Sequence, residues 1–126
     1  TEKDHLFIFI HQLIWWQENT EFGSCTPNSF MSKSDSLNFH QEILPLFYSI
    51  NKPVYLFAGD VGAYEDRCSI FHHKIKNVTL LASGMGNYKA DNYLIVDVLK
   101  NGKVEINIIG LNCETGNSCL GKIEDY

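Results

Sequence analysis

Two short apolar runs constrain this chain more than anything else in it: Leu-Phe-Ile-Phe-Ile at residues 6–10 and Pro-Val-Tyr-Leu-Phe-Ala at residues 53–58. Continuous runs of this length, carrying β-branched and aromatic residues, read as strands buried on both faces. The first stops abruptly at His11, and the second at Gly59-Asp60-Val61-Gly62. Between them, Phe39, Ile43, Phe47 and Ile50 recur at helical spacing and form one apolar stripe. Ser36 is placed to cap a helix starting at Leu37, and Pro45 is expected to kink that helix or split it in two. Asn51-Lys52-Pro53 should end it. Strand, loop, helix, strand is the order of a right-handed βαβ crossover joining two parallel strands. Ligands in open α/β sheets bind beyond the carboxyl ends of the strands, which is where His11 and Asp60 fall.

The second half changes character. Residues 68–75 and 78–83 read as strands joined by a tight turn at Lys76-Asn77, followed by a loop over residues 83–87. Residues 92–99 and 104–111 alternate apolar and polar positions around Lys100-Asn101-Gly102-Lys103. Asn-Gly between alternating strands is a strong hairpin signal, because both positions tolerate positive φ. The fold class expected is α/β, a βαβ unit followed by antiparallel strands and a C-terminal hairpin. The tail over residues 112–126 is polar and expected to be loosely held. The polar stretch over residues 17–36 is long for a mere connection inside a domain.

Composition removes several classes of function. The chain has 126 residues, enough for one domain with a real core, and its 44% hydrophobic and 20% charged residues are ordinary for a folded protein. The net charge is −5, Arg67 is the sole arginine and no basic cluster stands out, which argues against nucleic acid and anionic membrane surfaces. No apolar run approaches the ~20 residues that span a bilayer. The chain begins at Thr1 rather than methionine, so sequence upstream is expected. Of the four cysteines, Cys113 and Cys119 could close a short disulfide in an oxidising compartment or remain two thiols near a frayed end. Export is compatible with this pattern. Asn77-Val78-Thr79 fits a glycosylation sequon, a triplet common by chance.

His11 is open to two readings: a metal ligand or acid–base group, or a buried imidazole bonded to backbone. Asp60 between glycines can hold a cation or simply close its own turn. Trp15 and Trp16 offer flat faces that could line a substrate pocket, with at least one expected in the core. His72 and His73, adjacent on a strand, should point to opposite faces, with solvent the simpler destination and metal ligation the alternative. His5 and His40 read as exposed. Asn87, Lys89 and Asp91 read as a solvated loop, with a phosphate contact conceivable.

Taken together, Phe-Ile-Phe-Ile-His at residues 7–11, Gly-Asp-Val-Gly at 59–62, Leu-Leu-Ala-Ser-Gly at 80–84 and Tyr-Leu-Ile-Val-Asp-Val at 93–98 resemble the C-terminal half of calcineurin-like metallophosphoesterases. The resemblance runs from about Leu6 to Leu111. It implies half of a metallophosphoesterase-type β-sandwich flanked by a helix, residues 1–126 forming a single partial domain. His11 matches the family's metal-binding histidine. Asp60 falls at the first histidine of its Gly-His-x-His loop, and Gly62 at the second, where no side chain can bind metal. The Asp-x-His, Gly-Asp-x-x-Asp and Gly-Asn-His-Asp/Glu motifs of the family's N-terminal half are absent. The implied activity is hydrolysis of a phosphomonoester or phosphodiester by metal-activated water, with Mn, Fe, Zn or Mg as the metal, once that half is joined. The alternative is a degenerate, non-catalytic cleft; an unrelated binding module using the tryptophans fits the βαβ pattern less well. A half-domain should expose a sheet edge, and so either dimerise or stay bound to its N-terminal half.

Overall fold

The computed structural model describes residues 4–28, 38–62, 68–86, 89–113 and 119–126. Strands β1 (Leu6–Ile10), β2 (Val54–Ala58), β3 (Ile70–Ile75) and β4 (Val78–Ser83) form one mixed sheet in the order β1-β2-β4-β3. Strand β1 pairs in parallel with β2 and β2 with β4, whereas β3 runs antiparallel on the far edge. Strands β5 (Asn92–Val98) and β6 (Val104–Gly110) form a separate antiparallel hairpin. The architecture is α/β, mostly strand, with one short helix, α1 (Leu44–Ser49). No helix among the described residues is long and apolar enough to cross a membrane.

The two-residue period of the strands sorts their side chains between two cores. Leu56, Ala58, Val78, Leu80, Ala82 and Phe71 face α1 and the loop after β1, joining Leu13, Trp15, Phe22 and Phe39. Phe57, Leu81 and Ile70 face the other way and meet Ile108 of the hairpin and Ile123 of the C-terminal segment. The tail is thus held more firmly than its polarity suggests: Ile123 is buried in a single 3-10 turn, and the Tyr126 hydroxyl donates to the Leu120 carbonyl at 2.6 Å.

Local details differ from expectation for identifiable reasons. Strand β3 starts at Ile70 rather than at residue 68, and Cys68 just before it is in a disulfide. Ser36 and Leu37 lie outside the described residues; Asn38 is the cap seen, its side chain accepting from the Gln41 N–H at 3.2 Å. The helical span opens with a wide π-type turn over Phe39–Ile43 before α1. Pro45 stands in the first turn of α1, where its missing N–H costs no bond within that helix. The β5–β6 turn also departs from a two-residue Asn-Gly design. Leu99 N–H donates to the Lys103 carbonyl at 2.8 Å, leaving three residues in the loop, and only Gly102 takes positive φ, at 81°.

Asn77 carries an unexpected burden. Its side-chain nitrogen lies 2.9, 2.8 and 2.9 Å from the carbonyls of Phe47, Ile50 and Lys52, so it closes the end of α1 and the approach to β2. The next two sequon residues, Val78 and Thr79, are buried in β4. A glycan on that nitrogen is incompatible with this packing.

Candidate functional site

Parallel pairing in register brings the carboxyl ends of β1 and β2 side by side, with Ile10 opposite Ala58. The next residues on each strand are His11 and Gly59, and the Gly59 N–H donates to the His11 carbonyl at 3.1 Å. This backbone link leaves the following side chain, Asp60, facing the imidazole. His11 Nε2 lies 3.8 Å from Asp60 Oδ1, too long for a direct hydrogen bond but close enough for an ion pair when the histidine is protonated. The two are differently placed: His11 is 73% exposed and Asp60 only 3%. The sequence-predicted pair therefore meets, with the imidazole at the surface and the carboxylate in the wall.

Three features hold Asp60 in that wall. The Asn28 N–H donates to the Asp60 carbonyl at 2.7 Å, and Pro27 and Val61 form an isolated antiparallel bridge. Cys25 and Cys68 form a disulfide with Cα atoms 5.2 Å apart, tying the loop after β1 to the loop after β2. Both sulfurs rest against the Ile70 carbonyl, at 3.2 and 3.0 Å. Gly84, beyond β4, presses on the same loop so closely that a Cβ there would collide with the Val61 carbonyl. Gly59 is not under such pressure, because nothing lies near its missing Cβ and its φ is not positive. The Cys25–Cys68 pairing escaped sequence reading. The available signal was that each cysteine follows the carboxyl end of one of two adjacent parallel strands.

Cys113 and Cys119 are also paired, with Cα atoms 5.8 Å apart, resolving the sequence alternative in favour of the disulfide. Bridges of this kind are characteristic of oxidising compartments.

Of the two tryptophans, Trp15 is the core residue the sequence called for and cannot line a pocket. Trp15 is fully buried, its ring 6.5 Å from that of Phe39 and 5.7 Å from that of Phe71. It has no face left for a substrate and belongs to the helix-side core. Trp16 is half-buried at the edge of that core. His40 is not exposed either: its Nε2 lies 2.8 Å from the Trp15 carbonyl, and its ring packs on Phe22 at 4.4 Å. His5 is half-buried against Phe7 and Tyr55.

His72 and His73 do take opposite faces, as strand alternation requires, but each finds cover rather than solvent. His73 stands edge-on to Phe22 at 5.0 Å. His72 turns toward the hairpin and the C-terminal segment, where burial pushes its pKa below the ordinary value, partly offset by Glu124. Among the described residues, neither histidine belongs to a group able to hold a metal. In the loop after β4, Asn87 lies outside the described residues and Lys89 is exposed. Asp91 is buried, and its Oδ1 accepts from the Gly86 N–H at 2.8 Å, shaping that loop rather than awaiting a phosphate.

An imidazole nitrogen and a carboxylate oxygen are the donor types that borderline divalent cations take. Two such donors on one zinc-sized ion can stand at most about 4.2 Å apart, so a 3.8 Å separation fits a shared cation. The pair is nonetheless only part of a donor set. Among the described residues there is no group of three or more His, Cys, Asp or Glu side chains able to hold a metal. Gly62, buried beside Asp60, contributes no side-chain donor. Comparison with family models, curated proteins and solved structures finds no match to this chain.

Proposed function

We propose that this chain is the C-terminal half of a metal-dependent phosphoesterase, supplying His11 and Asp60 to a site that its N-terminal half completes. The observation that carries this reading is the convergence of an imidazole and a buried carboxylate on adjoining carboxyl ends of parallel strands. The rest of the donor set comes from outside the chain. A bound divalent cation (Mn, Fe, Zn or Mg) supplies a polarised phosphoryl oxygen and a water acidic enough to attack near neutral pH. Asp60, fixed by Asn28 and the Cys25–Cys68 tie, offers a rigid anionic donor. His11, largely exposed, offers a donor that the arriving half encloses. Trp16, half-buried in the loop after β1, would flank the substrate.

The free flank of the molecule supports a missing half. Strand β1 lies at the edge of its sheet, and Phe9 on it is 72% exposed. Beside it, Phe57, Tyr93, Leu94 and Val96 line an open seam of about 330 Å³ between the sheet and the hairpin. An uncovered apolar seam next to an unpaired strand edge fits a surface that another half, or failing that a second copy, covers.

The test joins this chain to its N-terminal half and compares His11→Ala, Asp60→Ala and His73→Ala for bound transition metal and for hydrolysis of p-nitrophenyl phosphate and its bis-ester. Loss of metal and rate in the first two variants, with both kept in His73→Ala, supports the assignment. Metal lost in His73→Ala but kept in His11→Ala sinks it. Metal binding without hydrolysis in the parent protein transfers the reading to the degenerate cleft that Gly62 favours.

A further inference from the structure

The end of the sheet opposite His11 and Asp60 holds a larger concavity that the proposed phosphoesterase site does not use. It is a groove of about 830 Å³ between the hairpin-facing side of the sheet, strand β6 and the C-terminal segment. In strand register, Tyr55 pairs with Thr79 and Thr79 with Lys74. These three side chains therefore stand in one row across β2, β4 and β3, on the same face. The row presents two hydroxyls and an ammonium. Above it, Ile106, Ile108 and Ile123 make an apolar wall.

The polar groups of the groove are not fully used by the protein. Thr79 is 7% exposed and lines the groove. Of the three lysines lining the groove, Lys103 is committed to Glu105 at 2.8 Å. Lys74 and Lys122 form no ion pair among the described residues. Glu124 also lines the groove, where it acts on the His72 imidazole and on Lys103. His72, half-buried and held toward its neutral form by desolvation, adds a hydrogen-bonding group without adding repulsion. In a chain of net charge −5, three lysines against Glu105 and Glu124 leave the lining of this groove net positive, which disfavours cations.

We propose that this groove binds a small organic anion, its carboxylate held between Lys74 and the Thr79 hydroxyl and its apolar body lying along Ile106, Ile108 and Ile123. A neutral molecule of the same shape would gain the wall but leave the ammonium group unanswered, and a cation would meet Lys74 and Lys122. The site is independent of the metal-site reading, since it shares no residue with His11 or Asp60.

The experiment is a titration of the isotopically labelled chain with octanoate, followed by amide shifts, with octanol and octylammonium as matched probes. Saturable shifts centred on Lys74, Thr79, Ile106 and Ile123 are expected, with octanol binding about tenfold more weakly and octylammonium not at all. Thr79→Val should weaken octanoate by about tenfold and Lys74→Gln by about two- to fivefold, the latter being an exposed contact. Lys74→Gln leaves the buried face untouched, so it remains informative if Thr79→Val fails to fold. Shifts centred on Phe9 and Tyr93, equal binding of octanol, or no saturable shift up to the solubility limit of octanoate would each overturn the proposal.

Discussion

The two faces of the four-stranded sheet are built from the same strands and finished in opposite ways. On the helix side, Val54, Leu56, Val78, Leu80 and Ala82 are sealed under Leu13, Trp15, Phe39 and Leu44, and a disulfide stitches the loops above them. On the hairpin side, Phe57 and Leu81 meet a two-stranded ribbon and Ile123 of the C-terminal segment, and both flanks stay open: one as the seam beside Phe9, the other as the groove over Thr79. The sealed face carries the stability and fixes the strand ends; the open face is available for association and binding. The division can be broken by experiment.

The largest expected effect comes from the disulfides. Cys25–Cys68 closes a separation of 43 residues and Cys113–Cys119 one of only 6. Chain-entropy reasoning gives about 4 kcal/mol for the first and about 2 kcal/mol for the second. Denaturant midpoints of Cys25→Ser/Cys68→Ser and Cys113→Ser/Cys119→Ser check the order. Equal losses would mean that the stitch over the sealed face is no more important than the one beside the open face.

Next come the side chains themselves. Leu80 is fully buried on the sealed face, and Leu80→Ala should cost about 3 kcal/mol. Phe9 is large but 72% exposed, so Phe9→Ala should cost under about 1 kcal/mol while weakening any association through the seam. Equilibrium unfolding with sedimentation separates the two effects. A Phe9 penalty as large as that of Leu80 would show that the open face is already closed in solution. Asn77→Ala, which releases three carbonyls at the end of α1, should cost about 2 kcal/mol, read by the same unfolding curves.

Much of this division can be read from residue order. The runs at residues 6–10 and 53–58, the stripe Phe39, Ile43, Phe47, Ile50 and the alternation around Asn101-Gly102 each carry their own period, so strands, helix and hairpin follow from local pattern. The meeting of His11 with Asp60 was also legible, because parallel strands of matching length place their next residues side by side. What pattern could not supply were facts set by distance through space. Trp15 differs from Trp16 only in which side of the loop turns inward. His40 leaves solvent because the Trp15 carbonyl is within reach, and Asn77 becomes a clamp because three carbonyls converge on it. Cys25 and Cys68 are neighbours only after β1 and β2 have paired.

The smallest effect, and the one that probes the open face most directly, is the titration of His72. Its imidazole faces Glu124 on the C-terminal segment, with His73 and Lys74 beside it on β3; burial lowers its pKa, Glu124 and a hydrogen bond with the Ile123 backbone oppose that shift, and the electrostatic influence of His73 and Lys74 adds to it. The ordinary value is 6.5. Above it, His72 is neutral in both folded and unfolded chains and contributes no pH dependence. Below it, the unfolded chain takes up a proton that the folded protein resists, so stability falls with pH until the folded imidazole protonates as well. Thermal unfolding from about pH 7.5 down to about pH 5.5 should therefore show a decline that His72→Gln makes shallower. Had the hairpin side been sealed like the helix side, the imidazole would be shut away from solvent and from Glu124, and the decline would be steep. A shallow decline partly removed by His72→Gln is the signature of a half-open face, and an unchanged slope in that variant would place the titrating group elsewhere.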